Sequence, residues 1–188
     1  MGADVRTTMS SQHLGDLIPR LEAKLGVKAG FFESLEHEDE NDWSFVIKLH
    51  ALVEAAVSHL LTEQLHRPEL ASLFARLDIS NKTTGKAAFV EALGLLDKPE
   101  RRFMSSLSEL RNMLVHDVRN VDFDLLRHVE RMNRDQQAVF LNSFNLLSTE
   151  LTDDVRSLFH LDPRQALWYS GMAFLGMVYL KIKPGTLH

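Results

Sequence analysis

The 188-residue chain contains no cysteine. That absence removes disulfide scaffolds, thiol nucleophiles and thiolate metal sites, so any catalysis must run without a thiol, on groups such as histidine, arginine and carboxylates. Five prolines and nine glycines exclude fibrous and low-complexity architectures. No apolar run reaches the roughly 20 residues of a membrane span. The longest uninterrupted one, Ala166 to Leu180, has 15. It belongs to the apolar segment Ala166–Ile182, which reads as a buried helix of a bundle. Trp168, Tyr169 and Tyr179 leave a membrane-contacting or dimer-packing helix as the alternative. Met1 to Gln12 is polar and lacks a signal-peptide core, so a cytoplasmic location without membrane insertion is expected. The net charge of −5 argues against nonspecific coating of nucleic acid, which scales with Lys and Arg on phosphates.

With 45% hydrophobic residues, the chain has enough apolar content to offset the ordering entropy of folding. That content recurs at helical spacing nearly everywhere, and no segment alternates as a strand does. His13 to Leu25 carries Leu14, Leu17, Ile18, Leu21 and Leu25 on one face, with Gly26 as the stop. The acidic run Glu33, Glu36, Glu38, Asp39, Glu40 and Asp42 reads as a solvated loop feeding a helix start. A helix from about Asp42 or Trp43 to Leu65 has Val46, Leu49, Val53, Ala56, Val57 and Leu60 as its stripe. Short helices follow after Pro68 and over Lys86 to Leu95. Pro99 opens a long helix whose buried side is Phe103, Leu107, Leu110, Leu114 and Val118. Leu125–Met132 and Asp135–Leu147 are helical and read as either separate or continuous, and Thr152–Leu161 precedes the apolar segment. The expected fold is all-α, an up-and-down bundle of five or more helices. Residues 1–42 supply an N-terminal helix and acidic loop, and residues 43–188 the bundle, within one compact domain.

Motif searches exclude several chemistries. Gly85-Lys86 lacks the upstream glycine and following hydroxyl of a phosphate loop. No G-x-G-x-x-G, zincin helix or G-x-S-x-G elbow occurs. His50 and Glu54 are four apart, a metal-ligand spacing, but no second clear pair accompanies them, and neither a metal nor a cofactor is expected.

The informative stretch is Leu107 to Asp117, LSELRNMLVHD. Arg111, Asn112 and His116 form an Arg, a polar residue, three spacers and a His. Arginine clamps a phosphate with a planar fork and stabilises charge on a pentavalent transition state. Histidine moves a proton near neutrality. Asparagine orients either group. If the nucleophile is the substrate's own 2′-hydroxyl, no metal is needed. On one regular helix Asn112 and His116 share a face, whereas Arg111 and His116 diverge by about 140°. Either the helix deforms there, or a groove between two protomers collects the side chains. The competing structural reading pairs Arg111 with Glu109, Asp117 or Glu54 and uses His116 at a helix end.

The segment from Leu49 to Val118 resembles a HEPN domain. The block His50-Ala51-Leu52-Val53-Glu54-Ala55-Ala56-Val57 with Leu60-Leu61 is similar to an early helix of that family with an embedded acid. Leu107 to His116 is similar to its Arg, polar, three-residue, His motif. The intervening Phe89 to Leu96 looks like the branch containing the mannitol operon repressor-like proteins, and the HEPN-like core spans about residues 43–150. The resemblance implies a dimerising helical bundle. It also implies a metal-independent endoribonuclease, in some members a toxin or defence protein with an antitoxin partner. Arg111 and His116 would be the catalytic pair, with Asn112, Glu54 and His50 supporting and RNA as substrate. Other members are non-catalytic regulators or interaction modules, and the mannitol repressor-like branch keeps that alternative open. Between Lys98 and Arg134 eight basic residues face six acidic ones, a locally favourable field. The chain's negative charge is concentrated in Glu33 to Asp42, away in sequence from the motif.

Overall fold

The computed structural model describes residues 11–36, 41–148 and 150–182, with side chains from residue 18 onward. Every regular element among them is helical. The α-helices are α1 (Ser11–Leu25), α2 (Phe31–Glu36), α3 (Asp42–Leu65), α4 (Ala71–Arg76), α5 (Lys86–Ala92), α6 (Lys98–Val115), α7 (Leu125–Glu130), α8 (Arg134–Phe144), α9 (Asp153–Leu161) and α10 (Pro163–Ile182). Two 3-10 turns, Pro68–Leu70 and Val118–Asp122, join them.

Helix α3 is the axis of the fold. Asn41 starts it by accepting the Ser44 N–H, and His66 ends it in a left-handed conformation at φ 52°. Its apolar residues are spread around the helix, and Phe45, Val46, Leu49, Leu52, Val53, Ala56, Val57, Leu60 and Leu61 are all buried. A helix apolar on every side must be covered on every side. Helix α10 supplies much of that cover. It runs parallel to α3: Arg164 lies over the Phe45 ring, Gly171 abuts Leu49, and the Lys181 carbonyl accepts from Gln64. Gly171 permits the close approach, since a Cβ there would lie 2.6 Å from Leu49 Cδ1.

Helix α6 covers α3 from another side and runs antiparallel to it. Trp43 at the start of α3 bonds the Leu114 carbonyl at the end of α6 (3.2 Å), and His50 meets Ser108. Asp97 and Glu100 form a reciprocal capping box at the start of α6, with Pro99 in the first turn. Glu100 also receives the Lys181 ammonium at 2.7 Å, which ties the end of α10 to the start of α6. Phe103 stacks on Phe174 and meets Phe144 edge-on, so α6, α8 and α10 share one aromatic layer.

The structure departs from the sequence reading at several points. Part of the acidic run is a helix, because Phe32 and Leu35 insert into the core while Glu33 and Glu36 stay on the outer side. The Glu22 carboxylate caps it through the Gly30 and Phe32 N–H groups, both at 2.9 Å. The remainder, residues 37–40, lies outside the described residues, as do the side chains of Leu14 and Leu17. Val118 does not continue the buried side of α6. The helix has already ended, and Val118 is 87% exposed in the following 3-10 turn. Helices α7 and α8 are separate, because Asn133 caps a new start by accepting the Gln136 N–H. The apolar C-terminal segment is a buried helix, as its composition implies, and begins earlier, at Pro163. Among the described residues, the helix with the length and hydropathy of a span is instead α3, at Asp42–Gln64, and 61% of that window is buried inside the fold.

Candidate functional site

The motif occupies the last turns of α6. Leu107, Leu110 and Leu114 anchor this stretch in the core, fixing where the residues between them point. Arg111 and Asn112 are half-buried and His116 is exposed. The Arg111 Nη1 donates to Asn112 Oδ1 at 3.0 Å, so the asparagine holds the guanidinium from the neighbouring position. Among the described residues no carboxylate pairs with Arg111. Asp117 is taken by Arg119 at 2.6 Å, and Glu54 by Lys86 at 2.7 Å.

His116 closes α6. Its backbone remains right-handed (φ −80°, ψ −11°), and its N–H still donates to the Asn112 carbonyl at 3.2 Å. The helix therefore stays regular through the motif. Arg111 and His116 leave it about 140° apart, and no local deformation gathers them.

Behind Arg111 lies a buried polar layer from α3, α5 and α6. The Ser108 hydroxyl donates to the Met104 carbonyl at 2.9 Å. Its oxygen is left to accept from His50 Nε2 at 3.3 Å, so that nitrogen carries the proton. Burial is the largest influence on His50 and lowers its pKa below the usual 6.5. Glu54 and Asp78 oppose that shift, while Arg111 and Lys86 reinforce it. His50 is accordingly a neutral donor within the packing between α3 and α6. Glu54 is one turn further along α3, and its carboxylate meets a lysine whose side chain has no solvent exposure. Among the described residues no three His, Asp or Glu side chains converge as a metal site would require.

Of the five residues expected at the site, the structure places His50, Glu54 and Arg111 in one neighbourhood. Asn112 is bonded to Arg111, and His116 is set apart at the helix end. Lys86 is the participant that sequence reasoning missed. Its position after Gly85 suggested only a failed phosphate loop. The usable signal was a lysine beginning a short apolar helix, KAAFVEA, where a snorkelling side chain would be ordinary. The acidic run, distant in sequence, ends close by in space. Asn41 donates to the Val121 carbonyl at 3.0 Å, and Asp42 accepts the Leu125 N–H at 2.6 Å, both just beyond His116.

Comparison with family models, curated proteins and solved structures gives no match to this chain.

Proposed function

We propose that the chain is a metal-independent endoribonuclease of HEPN type that acts as a homodimer, in the manner of a toxin or defence protein. One observation carries this reading. Arg111 is half-buried and steadied by Asn112, and among the described residues no carboxylate pairs with it. A fixed guanidinium without a carboxylate is suited to a phosphodiester. In the cleavage, the substrate 2′-oxygen attacks the adjacent phosphorus as its proton departs, and the P–O5′ bond breaks. The products are a 2′,3′-cyclic phosphate and a free 5′-hydroxyl. Arg111 stabilises the charge gathering on the phosphorane oxygens. His116 serves as the general acid or base.

The regular helix is why two copies are invoked. One protomer directs Arg111 and His116 apart, so a groove between protomers would bring one chain's arginine to the other's histidine. Val115, Val118 and Val121 are exposed apolar residues flanking His116, a surface that a second copy would cover.

A second reading is a non-catalytic helical regulator or interaction module. It is favoured by the position of two open cavities beside the end of α6. Both lie between α6 and its following elements, and neither is lined by Arg111 or His116.

The deciding experiment incubates purified protein with an RNA oligonucleotide and with its 2′-deoxy counterpart. Cleavage of the RNA alone, with a cyclic phosphate end, is expected from the wild type. It should vanish in Arg111→Ala and His116→Ala while thermal unfolding stays unchanged. Intact RNA at high enzyme, together with harmless expression in cells, would leave the regulator reading in place.

A further inference from the structure

Helices α6, α7 and α8 border an open trough of about 650 Å3 that the proposed cleavage does not use. Small-ligand sites occupy roughly 300–1,000 Å3. Its lining is largely apolar and includes Met113, Met132, Val139 and Phe140. Val139 is 65% exposed, an unusual position for a valine on a helix that otherwise turns Phe140, Leu141 and Phe144 inward. Apolar surface left open in a concave site is what a ligand's apolar body would cover.

Charges of both signs line the same trough. Glu109 comes from α6, Arg131 from just beyond the end of α7, and Asp135 from the first turn of α8. Among the described residues, none of the three makes an ion pair or a side-chain hydrogen bond, and they do not pair with one another. Opposite charges that line one trough without pairing with each other suit a molecule that carries both. A simple anion would match Arg131 and meet two carboxylates. A simple cation would match the carboxylates and meet the arginine.

His128 also lines the trough and packs against Phe123, with ring centroids 5.2 Å apart. Burial, and then Arg131, lower its pKa. The ring stays neutral, and Arg131 is the cation available to a ligand carboxylate.

We propose that this trough binds an α-amino acid with a large apolar side chain. Its carboxylate lies on Arg131, its ammonium faces Glu109 and Asp135, and its side chain covers Met113, Met132, Val139 and Phe140. The site uses neither Arg111 nor His116, so it stands or falls separately from the cleavage reading.

The test is calorimetric titration of the full chain with three probes. L-phenylalanine carries both charges, phenylalaninamide lacks the carboxylate, and 3-phenylpropanoate lacks the ammonium. Saturable 1:1 binding of phenylalanine is expected, with both analogues weaker by about tenfold or more. Arg131→Ala should weaken phenylalanine about tenfold and leave phenylalaninamide nearly unaffected, and Glu109→Gln should show the converse pattern with 3-phenylpropanoate. Both substitutions are at exposed positions, and circular dichroism checks that the fold is kept. Val139→Trp, which fills the trough, should abolish binding in a folded protein. Absence of saturable heat at millimolar phenylalanine overturns the proposal, and so does equal binding of all three probes. If Val139→Trp dissociates a dimer in sedimentation instead of removing ligand heat, the face belongs to a second copy and the proposal is likewise lost.

Discussion

Lys86 Nζ lies 2.7 Å from Glu54 Oε1, with the lysine side chain wholly buried and the glutamate 34% exposed. The pair is therefore asymmetric, and so are its two truncations. Glu54→Leu strands an ammonium where water cannot reach it, and should destabilise by about 3–5 kcal/mol. Lys86→Met leaves a carboxylate that water can solvate and a methylene stem that still packs, and should cost about 1 kcal/mol. Urea denaturation of both variants checks the ordering. Equal losses would mean that solvent reaches both ends of the pair.

The same reasoning gives a pH dependence. His50, His59 and His128 all have pKa values lowered below 6.5, with burial as the first cause in each. As pH falls through the ordinary histidine range, the unfolded chain takes up protons that the folded chain refuses. Stability from these groups is complete above the unfolded value and is lost as pH drops toward the lower folded values. Unfolding free energy should decline on acidification from about pH 7 toward pH 5, and His50→Gln should flatten part of the slope. A slope unchanged by that substitution would place the His50 contribution elsewhere.

Gly171 sets the spacing between α3 and α10. Alanine is the better helix former by about 1 kcal/mol. Here its Cβ would lie 2.6 Å from Leu49 Cδ1, in a side chain that has no exposed surface. Gly171→Ala should destabilise by about 1–3 kcal/mol despite its propensity gain. The double variant with Leu49→Ala should lose less than the two single losses combined, because the smaller side chain makes room. Additive losses in thermal unfolding would show that the two positions do not press on each other.

The legible parts of this fold were those with local causes. Helix α3 follows from a long apolar stripe, and α6 from Pro99 and its periodic leucines. Helix α2 was hidden because its six residues are acidic on one side, and Phe32 and Leu35 become informative only when α1 and α10 cover them. Val118 has the correct helical phase for burial, but phase has no meaning once the helix has ended. At the site, the Arg111–Asn112 contact joins sequence neighbours and was within reach of a motif reading. The Glu54–Lys86 pair spans 32 positions and needs the tertiary fold to appear. His116 illustrates the limit most directly, since its five-residue distance from Arg111 along the chain shows only that one regular helix points the two side chains apart.

Asn112 offers the sharpest test of the cleavage reading. Its Oδ1 accepts from Arg111 without adding charge. Asn112→Ala removes the tether and leaves the guanidinium cationic, so phosphate binding should persist with poorer alignment. The expected signature is a kcat lowered about tenfold with a nearly unchanged KM. Asn112→Asp keeps the acceptor in place but supplies a carboxylate at the same site, and that carboxylate competes with phosphate for Arg111. It should weaken RNA binding and cleavage well beyond the alanine variant, although its shape is closer to asparagine. Anisotropy with a 2′-deoxy oligonucleotide separates binding from turnover in both variants. If Asn112→Asp cleaves as well as Asn112→Ala, Arg111 is not the group that receives the phosphate.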